Sequence, residues 1–510
     1  MDNYFVSSCK RVKDWIRRQF GQKEKKTVHH KKFADGGEVI VWETGRAGEE
    51  AASYENLFLR KEIAGFRTNI RREQSCSIKS LTRDYLYKQL LSSGEYTFDH
   101  MLVIKDPYGE APLTALALFI LEEPACVRVT TKGNLKETDF VTELPKKKEH
   151  RVPILGMYAE KANDIVIEIL DDEGNCVKSH TFTIRTKRLP KSLRNVITVK
   201  KWTDKPAYSN IMINGGVKIH TCVFDIEGEI RYYLSRKPRG YGIFPLSDGH
   251  FFYMEKYISV PSYSNPQTVE SYDMDYFGRV FRTYLTEKGV HHTAEEKAGG
   301  NILTGSNSML EHTEDCVIEI DRQTGEIVWQ LNMAEIFDET YQDMMDWCHV
   351  NSAAYYEKDR TILISLRNVH AVICVDYDTK KLRWILSDPK FWEGTKMTPY
   401  LLQPEGDVKW CYQQHAAFEI ALPGESNPQK KRIIVYDNHW AKRRKAKSFD
   451  KDPLSYVSFY DIDEEKKTVS LHKRFAGPKT RIRANGIYVP DKKRVYNMAG
   501  SYAEPVDGDG

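Results

Sequence analysis

No apolar run in the 510 residues reaches the ~18 needed to cross a membrane. No secretory h-region of about 7–15 apolar residues follows Met1 either. Lys10, Arg11, Lys13, Arg17 and Arg18 interrupt the first twenty residues, so a cleaved export signal is not expected. Cysteine is scattered, at 9, 76, 126, 176, 222, 316, 348, 374 and 411, with no CxxC pair and no metal-ligand spacing. An odd count without local pairing predicts free thiols in a reducing compartment, and cytoplasm is the expected location. An excess of one charge is missing too. Lys+Arg of 76 against Asp+Glu of 72 leaves +4, which offers nothing to a nucleic acid partner. The basic runs Lys23–Lys26, Lys146–Lys148 and Lys442–Lys447 read as solvated loops.

Hydrophobic content of 41% and aromatic content of 12% fit a globular protein, and the length exceeds one ordinary core. Near the N-terminus, Tyr4, Phe5, Val12, Trp15, Ile16 and Phe20 alternate with basic residues in an amphipathic helical pattern. Membrane-surface contact is one reading of it, and a docking or partly disordered terminus is the favoured one. Residues 28–75 are polar and weakly patterned. Ile78, Leu81, Tyr85, Leu86, Leu90 and Leu91 then recur at helical spacing. From about residue 96 short apolar runs replace that period: 101–104, 116–120, 126–129, 165–169 and 181–184. Strands at this spacing predict a small antiparallel sandwich that ends near Pro190.

A repeat follows. Cys222–Arg231, Tyr272–Phe281, Val317–Trp329 and Ile373–Trp384 each read as strand, polar turn, strand, with a weaker copy at Val457–Asp463. Their Asp residues fall at 225, 275, 321, 376 and 461, spaced by 50, 46, 55 and 85. Periods of about 40–50 residues mark a β-propeller, and the last gap must hold an insertion or an unrecognised copy. The expected fold is mainly β: a six-bladed β-propeller over 193–510, preceded by a β-sandwich over 95–192 and a basic, helical segment over 1–94.

Inner strands of such blades line a channel, so polar residues on those strands become site candidates. His292, His349, Asn351, Arg367 and His415 lie outside the turn repeats, beside or within the other apolar runs. His349 and Asn351 are two apart and share a strand face. Of His291 and His292, which would face opposite sides, His292 is chosen. Three readings fit these residues. They could be channel-lining structural polars, which is the favoured reading for any one alone. A His trio could bind zinc, but no suitably placed carboxylate is visible, so no metal is expected. Or a neutral imidazole attacks an electrophile while Arg and a second His neutralise an anionic group. Trp347, Tyr412 and Tyr436 could sandwich an aryl ring or equally belong to a core.

At this point the motifs are similar to a known family. His349-Val350-Asn351-Ser352, Ser365-Leu366-Arg367-Asn368, Gln414-His415 and Asp437-Asn438 resemble, in order and spacing, the signatures of the bacterial arylsulfate sulfotransferases that use no nucleotide sulfate donor. Ala111–Ala115 resembles a pattern of that family's N-terminal domain. The resemblance spans roughly residues 95–500. No single motif is specific, whereas four in order on a repeat behind a sandwich are. It implies transfer of a sulfuryl group from a phenolic sulfate to another phenol, by a two-step route through a sulfated histidine and without a cofactor. By position His415 resembles the nucleophile. His349, Asn351 and Arg367 resemble the groups that bind sulfuryl oxygens, with His349 or His292 handling the phenolic proton. Thr480 resembles a further contact, and a homodimer is compatible with the family. Two other functions remain open: an aryl sulfate hydrolase, and a non-catalytic propeller that binds anionic aromatics or a protein partner.

Overall fold

The computed structural model describes residues 28–33, 36–47, 49–51, 76–200, 206, 208–213, 220–236, 242–258, 267–308, 312–422, 424–440, 452–482 and 484–500. The amphipathic pattern within 1–27 and the basic runs Lys23–Lys26 and Lys442–Lys447 lie outside them. The chain is mainly β, as expected, and divides into two compact units. One takes in residues 1–214, 218–237 and 275–281, the other 215–217, 238–274 and 282–510.

The first unit is built on a sheet of β1 (Val28–Lys32), β2 (Glu38–Trp42), β3 (His100–Lys105), β4 (Ala115–Thr131), β5 (Phe140–Ile154), β6 (Ala162–Leu170) and β7 (Cys176–Arg185). The order is β1-β2-β3-β4-β6-β7, with β5 paired to β4 and only β2–β3 parallel. The run Met101-Leu102-Val103-Ile104 is continuous rather than alternating because both its faces are covered. Met101 and Val103 join the core with Val127, Ile165 and Phe182. Leu102 and Ile104 pack with Leu86, Tyr87 and Leu91 of helix α1 (Cys76–Ser92).

Three expectations need correction here. The polar stretch after residue 27 contributes β1 and β2, whose pairing to β3 its composition did not announce. Leu81 and Tyr85, read as part of the helix's apolar face, are exposed. The basic run Lys146–Lys148 sits in strand β5 rather than a loop, although it is exposed. That strand pairs with β4 alone, and Pro145 and its lysines suit an edge that must not recruit another chain. The apolar runs 116–120 and 126–129 are one long strand, β4, with a register shift between Ile120 and Ala125 around Pro124.

The first unit also holds a three-stranded meander, β8 (Asn210–Ile213), β9 (Cys222–Asp225) and β10 (Ile230–Tyr233). More meanders follow. Strands β11 (Gly242–Pro245), β12 (Phe251–Ile258), β13 (Gln267–Met274) and the start of β14 (Val280–Glu296) form one. The second half of β14 with β15 (Ile302–Ser306), β16 (Cys316–Ile320) and β17 (Ile327–Asn332) forms the next. Strands β18 (Val350–Tyr356), β19 (Thr361–Leu366), β20 (Ala371–Asp376) and β21 (Leu382–Leu386) form another. After the short β22 (Gln403–Pro404) come β23 (His415–Ile420), β24 (Lys430–Asp437), β25 (Leu454–Asp463) and β26 (Thr468–Pro478). A two-stranded pair, β27 (Asn485–Val489) and β28 (Arg494–Met498), is the last.

The Asp repeat closes the turn before each meander's outermost strand. Asp225 accepts from the Glu227 and Glu229 amides, Asp275 from Phe277 and Arg279, Asp321 from Gln323 and Thr324, and Asp376 from Thr379. Such Asx turns are why the repeat carries Asp. In the last copy the turn residue is Asp463, which accepts from Lys466, and Asp461 instead pairs with Arg432. The long gap before it is filled by the segment between β21 and β23, which contains short 3₁₀ turns and β22.

Leu102→Ala should lower stability by about 2–5 kcal/mol, because the side chain is wholly buried between strand and helix. The exposed Lys147→Ala should stay within about 0.5 kcal/mol of the parent. Denaturant unfolding monitored by far-UV circular dichroism checks both.

Candidate functional site

In an antiparallel meander the start of the first strand lies beside the end of the second. Polar residues gather at that end in three successive meanders, and each first strand is bulged there. The register shifts between His291 and Ala294 in β14, between Val350 and Ser352 in β18, and between His415 and Ala417 in β23. His292 (φ 58°), Glu314 (φ 57°), His349 (φ 56°) and Ala416 (φ 48°) are left-handed non-glycine residues at or beside these bulges. A bulge breaks the alternation of side chains and re-aims the one that carries the chemistry.

His415 is buried, and its Nδ1 lies 2.7 Å from Asn438 Oδ1. Asn438 follows β24, the strand paired to β23, and its amide nitrogen donates to Thr480 Oγ1 at 2.9 Å. That bond turns the Asn438 oxygen toward the ring. An amide oxygen only accepts, so Nδ1 carries the proton and Nε2 holds a lone pair. Thr480 is itself held by Ser455, whose Oγ accepts from the Thr480 amide at 2.8 Å and donates to the Asn438 carbonyl at 2.9 Å. Burial first, then the charges of Arg367 and His349, lower the His415 pKa to about 3. The ring is therefore neutral at physiological pH.

His349 is the opposite case. Its Nδ1 lies 2.6 Å from Glu314 Oε2 and 2.9 Å from Asp346 Oδ2. Burial alone would discharge it, but the two carboxylates outweigh burial and push its pKa up to about 9. His292 packs against it with ring centroids 4.8 Å apart and planes at 68°. His291 points elsewhere, its Nε2 donating to the Ser306 carbonyl at 2.8 Å. Its Nδ1 then accepts from His292 Nδ1 at 3.2 Å, which leaves the lone pair of His292 on Nε2. Burial holds the His292 pKa well below the imidazole range despite the nearby Glu314.

Arg367 follows β19, and its guanidinium donates to Asn368 Oδ1 at 3.1 Å and to Gln413 Oε1 at 3.4 Å. Asn351 donates to the Gln414 carbonyl at 2.7 Å and so secures the chain just ahead of His415, while its Oδ1 is buried without a hydrogen-bond partner among the described residues. All six predicted site residues thus fall in these neighbouring meanders or beside them. Trp347 and Tyr436 do not serve as aryl clamps: Trp347 packs on Phe337 in the core and Tyr436 is fully buried. Tyr412 is buried as well, its hydroxyl donating to Asp388 at 2.7 Å.

Sequence reasoning passed over Glu314, Asp346 and the role of Asn438. Glu314 lies in an unpatterned turn before β16, where nothing in the periodicity marks a buried carboxylate. Two donor sets converge to within 4.8 Å, His291 with His292 and Glu314, and Glu314 with Asp346 and His349. Glu314 belongs to both, and a metal there would have to break its pairing with His349. The eight described cysteines are free thiols, Cys411 near the site included.

Comparison with known proteins bears on the same region. The arylsulfotransferase (ASST) family profile matches residues 195–504, and the profile of the arylsulfotransferase Ig-like domain matches 102–187. The arylsulfate sulfotransferase AssT of Escherichia coli is 22% identical over 493 residues, covering 72% of this chain and 78% of that protein. AssT of Lelliottia amnigena has the same identity and coverage. A solved putative 6-phosphogluconolactonase of Bacteroides uniformis aligns over 74% of this chain and 90% of its own, at 10% identity and a TM-score of 0.32, too low to carry an argument.

Gly305 leaves room for the His291 ring. A Cβ there would stand 2.6 Å from the ring Cε1 and 2.7 Å from Nδ1. Gly305→Ala is expected to cost about 1–3 kcal/mol by forcing that ring to move, read as a lower denaturation midpoint.

Proposed function

The chain belongs to the arylsulfotransferase family and is an aryl-sulfate sulfotransferase; from that premise we propose that the sulfuryl group passes from a phenolic sulfate to a phenol in two steps, with His415 as its carrier. In the first step the Nε2 lone pair of His415 attacks sulfur. An N–S bond forms, the S–O(aryl) bond breaks, and its electron pair leaves on the phenolic oxygen. His349, a cation below about pH 9, gives that oxygen a proton and releases a phenol. In the second step the acceptor phenol returns its proton to His349 and its oxygen attacks the same sulfur. The N–S electron pair goes back to His415, and both histidines regain their starting states.

The observation that carries this reading is the lock between Asn438 Oδ1 and the His415 Nδ1–H at 2.7 Å, which leaves Nε2 as the nucleophilic atom. Sulfated on Nε2, the ring would be cationic, and the Asn438 oxygen would then accept a stronger, charge-assisted bond. Arg367 supplies a permanent cation for the sulfuryl oxygens, whose charge needs neutralising more than it needs covalent help. Asn351 spends one amide hydrogen on Gln414, and the other is the one to meet a sulfuryl oxygen. The His349 pKa of about 9 lies near a phenol's value of about 10, which suits proton transfer in both directions. His292, neutral and against His349, orients the proton-carrying ring. The eight free thiols support a reducing compartment such as the cytoplasm.

With 4-nitrophenyl sulfate the wild type should release about one equivalent of nitrophenol per site without phenol, and should turn over and form phenyl sulfate only when phenol is present. His415→Ala should lose at least about a thousandfold. Donor alone should leave a sulfuryl mass on the peptide that contains His415. A His415→Ala variant that remains active, or nitrophenol release indifferent to phenol, overturns the proposal; the latter outcome marks a hydrolase.

A further inference from the structure

We infer that Glu314 is a positioning residue for sulfuryl transfer: its carboxylate forms an ion pair at His349 Nδ1, beside Asp346, which accepts the Nδ1–H at 2.9 Å, and so keeps the Nε2–H toward the phenolic oxygen; this rests on the two-step reading above. Glu314 is wholly buried, and its carboxylate lies between two imidazoles, 2.6 Å from His349 Nδ1 and 3.7 Å from His292 Nδ1. A buried carboxylate is unfavourable unless paired, and a fold that needed only packing here would be better served by an apolar residue.

The main chain is also committed to this placement. Glu314 is left-handed at φ 57°, a cost for a residue with a Cβ. Its amide donates to Asn307 Oδ1 at 2.7 Å, just past the end of β15. Its carbonyl accepts from the Val350 amide at 2.6 Å, at the start of β18. The residue is thus pinned between the second strand of one meander and the first strand of the next, beside the histidine it contacts. Val350 follows His349 in sequence, so backbone and side chain of Glu314 act on the same short segment.

The charged and titratable groups around His349 are few. Glu314 and Asp346 face Nδ1. His292, His291 and His415 are near enough for their charge to matter, and burial keeps all three neutral. Cys348 precedes it and is a buried thiol with a raised pKa. Arg367, whose main-chain N–H donates to the His349 carbonyl at 3.0 Å, is the nearby permanent cation. The raised His349 pKa has the matching sign: its charge persists through neutral pH and is lost as pH rises through about 9. Asp346 survives removal of Glu314, so the charge on His349 should weaken rather than vanish.

The test uses the full chain with Glu314→Gln and Glu314→Asp, and reads kcat/KM against pH for several aryl sulfates, together with the His349 titration by NMR of histidine-labelled protein. In Glu314→Gln the alkaline limb should move down by about one to three pH units, with kcat/KM at pH 8.5 reduced about tenfold or more. The loss should grow as the leaving phenol becomes less acidic, and Glu314→Asp should restore most of the limb. A residue that only supports the fold would change the rate at every pH alike. An unmoved limb and an unmoved His349 titration in a folded Glu314→Gln protein overturn the inference. If that variant does not fold, an Asp variant with slowed turnover but a wild-type limb and titration overturns it equally. Failure of the two-step reading looks different: His415→Ala would stay active while the His349 titration still answered to Glu314.

Discussion

The site depends on one constraint of the backbone, the bulge in the first strand of three successive meanders. A regular strand alternates its side chains and would send neighbours such as His291 and His292 to opposite faces without regard to chemistry. Two extra residues in β14 and one each in β18 and β23 break that alternation at or beside the site residues His292, Asn351 and His415. Antiparallel pairing then brings the end of the second strand alongside, which is how Arg367 comes to the start of β18 and Asn438 comes within reach of His415. The left-handed residues at these points are unfavourable alone, and Glu314 is held there by hydrogen bonds from its amide and to its carbonyl.

Within that frame, burial and pairing divide chemically identical side chains into different states. Three histidines share one buried region. His415 and His292 lose their charge to desolvation, while His349 keeps its charge because Glu314 and Asp346 lie against Nδ1. Tautomers of the neutral rings follow from the partners: an amide oxygen for His415 and a carbonyl for His291. One cation, one neutral imidazole and one permanent guanidinium are what the proposed transfer of an anionic group would ask of a protein.

Much of the architecture was legible in local pattern. The helix over Cys76–Ser92, most of the sandwich strands and the Asp-turn repeat follow from periodicity and turn chemistry, which act over a few residues. Misreadings occurred where tertiary context overrides that signal. The exposed, lysine-rich β5 looked like a loop because an edge strand needs no apolar face. Asp461 was taken for the turn residue because it stands in the same apolar run as Asp463. The aromatic residues next to site motifs, Trp347 and Tyr436, are buried in apolar clusters.

Sequence by itself supplied the candidates: His349, Asn351, Arg367 and His415 stand in recognisable motifs, and the free thiols' lack of local partners and the β repeat are read there too. Tertiary structure alone decided what those residues are in chemical terms. Glu314 meets His349 across 35 positions of chain and Thr480 meets Asn438 across 42, distances over which no periodicity survives. Charge state and tautomer are properties of those meetings, since a buried imidazole takes its protonation from whichever donor or acceptor the fold places beside it.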